Sequence, residues 1–133
     1  MGGVHRRLKL LLDTHAFLWW IEESPRLGIR AREAVRRAAV VFVSAASAWE
    51  IATKRALGRL EAPADLRGAI AEYEFAELPI TVDHAIAAAT LPRHHDDPFD
   101  RVLVAQARLE RLRLVTVDPA IRAYEVDVLP ADR

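Results

Sequence analysis

Six carboxylates stand where strands are predicted to end or helices to begin, the places where α/β sheets build their ligand sites. They are Asp13, Glu50, Asp83, Asp97, Asp100 and Asp118. Carboxylates that lie close together repel each other, and such a cluster is tolerated mainly when a hard cation joins it. Ligand sets made only of oxygen suit Mg²⁺ or Mn²⁺, and these ions can activate a water against a phosphodiester. If these side chains converge, they indicate metal-dependent phosphodiester hydrolysis.

Two of these carboxylates have ordinary structural alternatives that their spacing does not exclude. Asp13 directly follows a continuous apolar run and could simply cap the next helix. Glu50 lies three residues after Ser47, as in a capping box, and four residues before Lys54, a favourable helical pair. On spacing alone, a structural role is favoured for Glu50.

Two choices among the aspartates stay open at this level. Asp97 is well placed to cap a helix that begins at Pro98, whereas Asp100 projects from the first turn of that helix. Two short segments of similar sequence, each a β-branched run ending in an aspartate, contain Asp83 and Asp118. The pattern does not decide which member of either pair belongs to a site.

Histidine and cysteine contribute little to the predicted site. His94 and His95 precede two aspartates, but adjacent side chains do not readily share one ion, so we predict a solvated loop there. His15 is predicted to pack in the core or lie on the surface. The chain has no cysteine, which excludes thiolate zinc sites and cysteine nucleophiles. Its glycines form no phosphate-binding loop.

The elements that must position the carboxylates alternate along the chain. Apolar or β-branched runs predict strands, and segments with helical spacing lie between them. This alternation predicts an α/β fold with a mainly parallel sheet of four to five strands and helices on both faces. The strands are predicted over residues 8–12, 39–43, 78–82, 114–117 and 126–129, and the helices over 15–21, 30–38, 47–57, 63–75, 83–91 and 98–112.

Composition limits the class of protein. The 133 residues are 52% hydrophobic and 29% charged, as expected for one globular domain over residues 1–133. No apolar run approaches the roughly 20 residues that cross a bilayer, so we expect a cytoplasmic protein with no membrane partner. The formal net charge is zero, so contact with nucleic acid would have to come from a local patch or from bound metal.

Four segments in this order resemble the PIN-domain family, and most closely its VapC-type toxins from bacterial toxin–antitoxin pairs. They read LLDTHAFLWW over residues 11–20, SAWEIATK over 47–54, DPFDRVLVAQA over 97–107 and LVTVD over 114–118. The resemblance spans nearly the whole chain. It implies a PIN-like three-layer α/β/α sandwich and an endoribonuclease that depends on Mg²⁺ or Mn²⁺.

The resemblance also selects the site residues. It implies that the catalytic acids are Asp13, Glu50, Asp100 and Asp118, choosing Asp100 over Asp97 and Asp118 over Asp83. Asp13, Asp100 and Asp118 would hold one or two ions, and Glu50 would ligate or act through water. The supporting residues would be Thr14, Asp97 and Thr116.

The implied partners are RNA, a cognate antitoxin whose tail occupies the groove of the toxin, and a second copy in a homodimer. Trp19, Trp20 and Trp49 could form an apolar docking surface, although burial in the core is at least as good an interpretation for each. One alternative is a PIN fold that binds RNA or protein without turnover. Another is a phosphoacceptor receiver domain, but Asp13 has no acidic neighbour and no lysine follows Lys54.

Overall fold

The structure, a computed structural model, describes residues 8–133, and a parallel sheet of five strands runs through them. The sheet order is β3-β2-β1-β4-β5, and every neighbouring pair is parallel. The α/β class and the parallel sheet are therefore confirmed. The order differs from the 2-1-3-4-5 order of receiver-like domains, which excludes that alternative. The strands are β1 (Lys9–Leu12), β2 (Val40–Ser44), β3 (Ala76–Leu78), β4 (Arg113–Thr116) and β5 (Val128–Pro130).

Helices cover both faces of the sheet, so the predicted three-layer sandwich is also confirmed. Successive side chains of a strand point to opposite faces. Leu10 and Leu12 of β1 therefore pack into one core with Phe17, whereas Leu11 packs into the other core with Leu103. The helices are α1 (Thr14–Ile21), α2 (Ile29–Arg37), α3 (Ala45–Ala56), α4 (Leu66–Glu72), α5 (Val82–Thr90), α6 (Pro98–Leu109) and α7 (Pro119–Arg122).

The strand predicted over residues 78–82 is wrong: β3 ends at Leu78. The β-branched residues that suggested it begin a helix instead. The Thr81 hydroxyl accepts from the His84 backbone N–H at 3.1 Å, and His84 Nδ1 accepts from the Thr81 backbone N–H at 3.0 Å. This reciprocal cap satisfies two backbone donors and starts α5. The two similar segments therefore have different structures, with Asp83 exposed in α5 and Asp118 beyond the end of β4.

The crevice of the sheet lies between β1 and β4. The chain leaves β1 toward β2 on one side, while β4 lies on the other side, and such a switch point is where open α/β sheets bind ligands. Asp13 is fixed there because its backbone N–H donates to the Val115 carbonyl at 3.1 Å. Among residues 8–133, no helix combines the length and apolar character needed to cross a membrane.

Candidate metal centre

Asp13 is buried at the carboxyl end of β1, with 5% of its surface exposed. Its Oδ1 accepts from the Ala16 backbone N–H at 2.8 Å and caps α1, so the capping interpretation holds. Burial raises the pKa of Asp13, and hydrogen bonds from Thr116 and Ala16 oppose that rise. The negative charge of Asp118 raises it further. Asp13 therefore caps α1, and its surroundings still disfavour the ionised form of its carboxyl.

Helix α3 begins earlier than the capping-box pattern predicts, and that box is wrong. The N-cap is Ser44, whose hydroxyl accepts from the Ala46 backbone N–H at 2.9 Å. Ser47 is fully buried inside the helix, with its Oγ 3.1 Å from Thr14 Oγ1. Glu50 is thereby free of a capping role and points inward, with 4% of its surface exposed.

Both oxygens of the Glu50 carboxylate have donors. The Thr14 hydroxyl donates to Oε1 at 2.5 Å, and Lys54 Nζ donates to Oε2 at 2.6 Å. The hydrogen bond to Glu50 raises the pKa of Lys54, and nearby acidic charges contribute to the rise. Thr14, a predicted supporting residue, therefore holds Glu50 in place, and Lys54 pairs with it as its spacing predicted.

The first turn of α6 separates the roles of Asp97 and Asp100. Asp97 Oδ1 accepts from the backbone N–H groups of Phe99 at 2.8 Å and Asp100 at 3.1 Å, which confirms it as the N-cap. The Asp100 side chain is 18% exposed and lies toward the other acids. Asp118 caps α7 through the Ala120 backbone N–H at 2.9 Å.

Thr116 ends β4 and contacts two of the acids. Its Oγ1 accepts from the Asp118 backbone N–H at 3.1 Å, and its side chain opposes the rise in the pKa of Asp13. Thr116 is completely buried. It therefore fixes the backbone of Asp118 just beyond β4, the strand that pairs with β1.

His95 is the residue of this centre that the sequence did not predict. Its Nε2 lies 2.9 Å from Asp100 Oδ2 and 2.9 Å from Asp118 Oδ2, so the predicted solvated loop is wrong at this position. The neighbouring His94 is exposed and packs edge-on against Tyr124. Its position in the sequence could have indicated this contact, because His95 stands two residues before the N-cap of α6 and close to the turn that carries Asp100.

The electrostatics of the centre fit a hard divalent cation. Burial raises the pKa of Asp100 to about 7, together with the negative charges of Asp97, Asp13 and Glu50. Burial also opposes protonation of His95. Its pKa is nevertheless raised, by hydrogen bonds to Asp100 and Asp118 and by their negative charge. Burial and neighbouring negative charge both disfavour the ionised form of Asp100, and a divalent ion bound by oxygen ligands would offset both.

Of the three tryptophans, Trp49 is the one that lies exposed beside the centre. It is 62% exposed and packs edge-on against Phe99, with ring centroids 5.0 Å apart. Trp49 directly precedes Glu50 in α3 and Phe99 directly precedes Asp100 in α6, so the aromatic contact joins the two helices that carry these acids. Trp19 and Trp20 instead pack against the core that lies beside α1.

Comparison with known proteins gives one sequence family and several solved structures. The sequence profile of the PIN domain matches residues 10–127. The chain is 32% identical over 119 residues to Ribonuclease VapC22 of Mycobacterium tuberculosis, which covers 86% of this chain and 91% of that protein. A toxin–antitoxin complex from Klebsiella pneumoniae has a TM-score of 0.64 at 21% identity, covering 92% and 97% of the two chains. FitAcB from Neisseria gonorrhoeae has a TM-score of 0.67 at 19% identity, with the same coverage.

Proposed function

The chain belongs to the PIN-domain family, and from that premise we propose that it is the toxin of a toxin–antitoxin pair. As such it would be an endoribonuclease that hydrolyses RNA phosphodiester bonds with Mg²⁺ or Mn²⁺. The observation that carries the proposal is the convergence of buried and half-buried acids at the crevice between β1 and β4. Asp13, Asp100 and Asp118 would hold the ion, and Glu50 would act beside them.

A bound divalent ion would lower the pKa of a water and neutralise charge on the phosphate and its leaving oxygen. The protein holds the carboxylates in fixed positions. Asp13 and Asp118 each cap a helix through one carboxylate oxygen, so the other oxygen is held in a defined direction. Thr14 and Lys54 occupy both oxygens of Glu50, which favours a role through a bridging water over direct ligation.

The metal dependence can be tested with purified protein freed of any antitoxin. We expect it to cut cellular RNA when Mg²⁺ or Mn²⁺ is present, and we expect EDTA to stop the cleavage and excess metal to restore it. Persistent cleavage in EDTA would contradict the metal role. RNA binding without cleavage under every metal condition would favour the non-catalytic PIN module instead.

We further propose that Trp49 stacks on a base of the RNA near the cut site. Its indole is 62% exposed, lies nearly perpendicular to the Phe99 ring with the ring centroids 5.0 Å apart, and belongs to the residue that precedes Glu50. Stacking of a base on an aromatic side chain contributes about 1–3 kcal/mol. Trp49→Ala should therefore lower kcat/KM by about tenfold or more, mainly through KM, while Trp49→Phe keeps most of the activity.

The matched control for Trp49 is Leu57→Ala, because Leu57 is also a large exposed apolar residue, 61% exposed, at the far end of α3. Initial rates on a short RNA at varied concentration separate KM from kcat. Equal KM values for wild type and Trp49→Ala would remove Trp49 from the substrate site.

The proposed partners follow from the family and from the complexes in which its relatives were solved. Toxin–antitoxin complexes are among the solved structures similar to this chain, which supports a cognate antitoxin. A homodimer has a candidate face in Val82 and Ile86, two exposed apolar residues one turn apart on α5. A neighbouring open reading frame for a small DNA-binding protein would identify the antitoxin.

A further inference from the structure

Hydrogen bonds to the backbone of His95 hold this part of the loop in place. Its backbone N–H donates to the Tyr124 hydroxyl at 3.0 Å, and its carbonyl accepts from Arg101 at 3.2 Å. The same guanidinium donates to the carbonyls of Ala88 and Leu91, each at 2.9 Å. Arg101 thus ties the end of α5 to the loop before α6. This anchoring fixes the backbone from which the imidazole of His95 extends.

The position of the imidazole fits the coordination shell of one ion. In an octahedral shell with bonds of about 2.1 Å, neighbouring ligand atoms are about 3.0 Å apart. His95 Nε2 is 2.9 Å from a carboxylate oxygen of Asp100 and 2.9 Å from one of Asp118. The three donor atoms lie within 4.8 Å of one another. They come from a loop, the first turn of α6 and the end of β4.

We propose that His95 Nε2 is a metal ligand, which together with Asp100 and Asp118 forms a mixed nitrogen and oxygen site. The proposal rests on the metal dependence proposed above. Mg²⁺ favours a shell of oxygen ligands, whereas imidazole nitrogen suits transition ions. His95 would therefore shift the preference of the centre from Mg²⁺ toward Mn²⁺.

Coordination requires a small rearrangement of protons. A neutral imidazole that binds through Nε2 carries its proton on Nδ1. In the structure, Nδ1 faces the Asp97 backbone N–H at 3.4 Å, a long contact whose loss costs little. Because Nδ1 accepts from Asp97, the proton that faces the two carboxylates is on Nε2. This proton would move to Nδ1, and the freed Nε2 lone pair could then hold the ion together with Asp100 and Asp118.

The competing interpretation is that His95 only compensates the two aspartates when no ion is bound. The two interpretations predict opposite effects of substitution on metal affinity. If His95 is a ligand, its removal weakens binding. If it competes with the ion for Asp100 and Asp118, its removal strengthens binding. A metal titration therefore separates them without any measurement of activity.

The test is Mn²⁺ binding followed by electron paramagnetic resonance on purified wild type, His95→Asn and His94→Asn. His94→Asn is the matched control, because it changes the adjacent, exposed histidine. We expect ¹⁴N modulation of the bound Mn²⁺ signal in wild type and His94→Asn. In His95→Asn we expect that modulation to disappear and Mn²⁺ to bind about tenfold more weakly or worse, with a smaller loss for Mg²⁺.

Three results would overturn the assignment: no ¹⁴N modulation in wild type, modulation that persists in His95→Asn, or Mn²⁺ affinity that is unchanged or raised in His95→Asn. Bound Mn²⁺ without nitrogen coupling contradicts the His95 assignment alone. A wild type that binds no Mn²⁺ and no Mg²⁺ contradicts the proposed metal dependence as well. Thermal melting of each variant without metal checks that all three proteins are folded.

Discussion

Replacing Asp100 with asparagine should lower kcat/KM for RNA cleavage by about 10²–10³-fold or more, the loss typical of removing one electrostatic contact to a transition state. Asparagine keeps the size of the side chain and removes the charge that would hold the ion. Asp13→Asn should have a similar effect, and because asparagine is also a good N-cap, α1 should still form. Rates on a defined RNA at saturating Mn²⁺ measure both effects.

The structure offers two matched controls for these substitutions. Asp83→Asn removes the aspartate of the similar segment, which lies exposed in α5, and Asp96→Asn removes an exposed carboxylate near His95. Both variants should keep wild-type rates. Full activity in Asp100→Asn or Asp13→Asn would remove that residue from the centre. A large loss in Asp83→Asn would show that charge in general, and not its position, matters.

The central strands could be predicted because short apolar runs in the sequence determine them. Residues such as Leu10 and Val41 lie in runs that are apolar on both faces, and only a strand with a helical layer on each side buries both. Near β3 the cause is different. The Thr81–His84 cap outweighs the β propensity of its neighbours, and side-chain caps of this kind are hard to see in a run of β-branched residues.

Two acids of the candidate site could be placed from chain position alone. Asp13 follows β1 directly and Asp118 lies two residues past β4, so parallel neighbouring strands bring both to the same edge of the sheet. The resemblance to the PIN family was needed to select Asp118 over Asp83. His95 was missed because its contact with Asp118 spans 23 residues and depends on how the loop before α6 packs on the end of β4.

The stability of the metal-free protein should fall as pH rises from about 5 to about 8. Asp100 has a folded-state pKa of about 7, above the value of about 3.9 for an unfolded aspartate. Between these values the folded state keeps a proton that the unfolded state has lost, so the free energy of unfolding decreases as pH rises. The raised pKa of His95 acts in the same direction, because its contribution is lost as pH rises through the folded value.

The expected fall in the free energy of unfolding between pH 5 and pH 8 is about 1–3 kcal/mol. About two units of the pKa shift lie in this range, each unit corresponds to about 1.4 kcal/mol, and partial exposure reduces the effect. Urea unfolding in EDTA at several pH values measures it. At pH 8, metal at about 100 times its Kd should recover about 2.7 kcal/mol.

Asp100→Asn separates this electrostatic cause from a general loss of folding. Without the charge, the variant should show a flatter pH dependence, unfold at higher urea than wild type in EDTA at pH 8, and gain less from added metal. The same substitution that lowers the cleavage rate would then stabilise the metal-free fold, as expected if the charge is kept for binding an ion and not for folding. A wild type equally stable at pH 5 and pH 8 in EDTA, or an Asp100→Asn variant less stable than wild type at pH 8, would contradict this account.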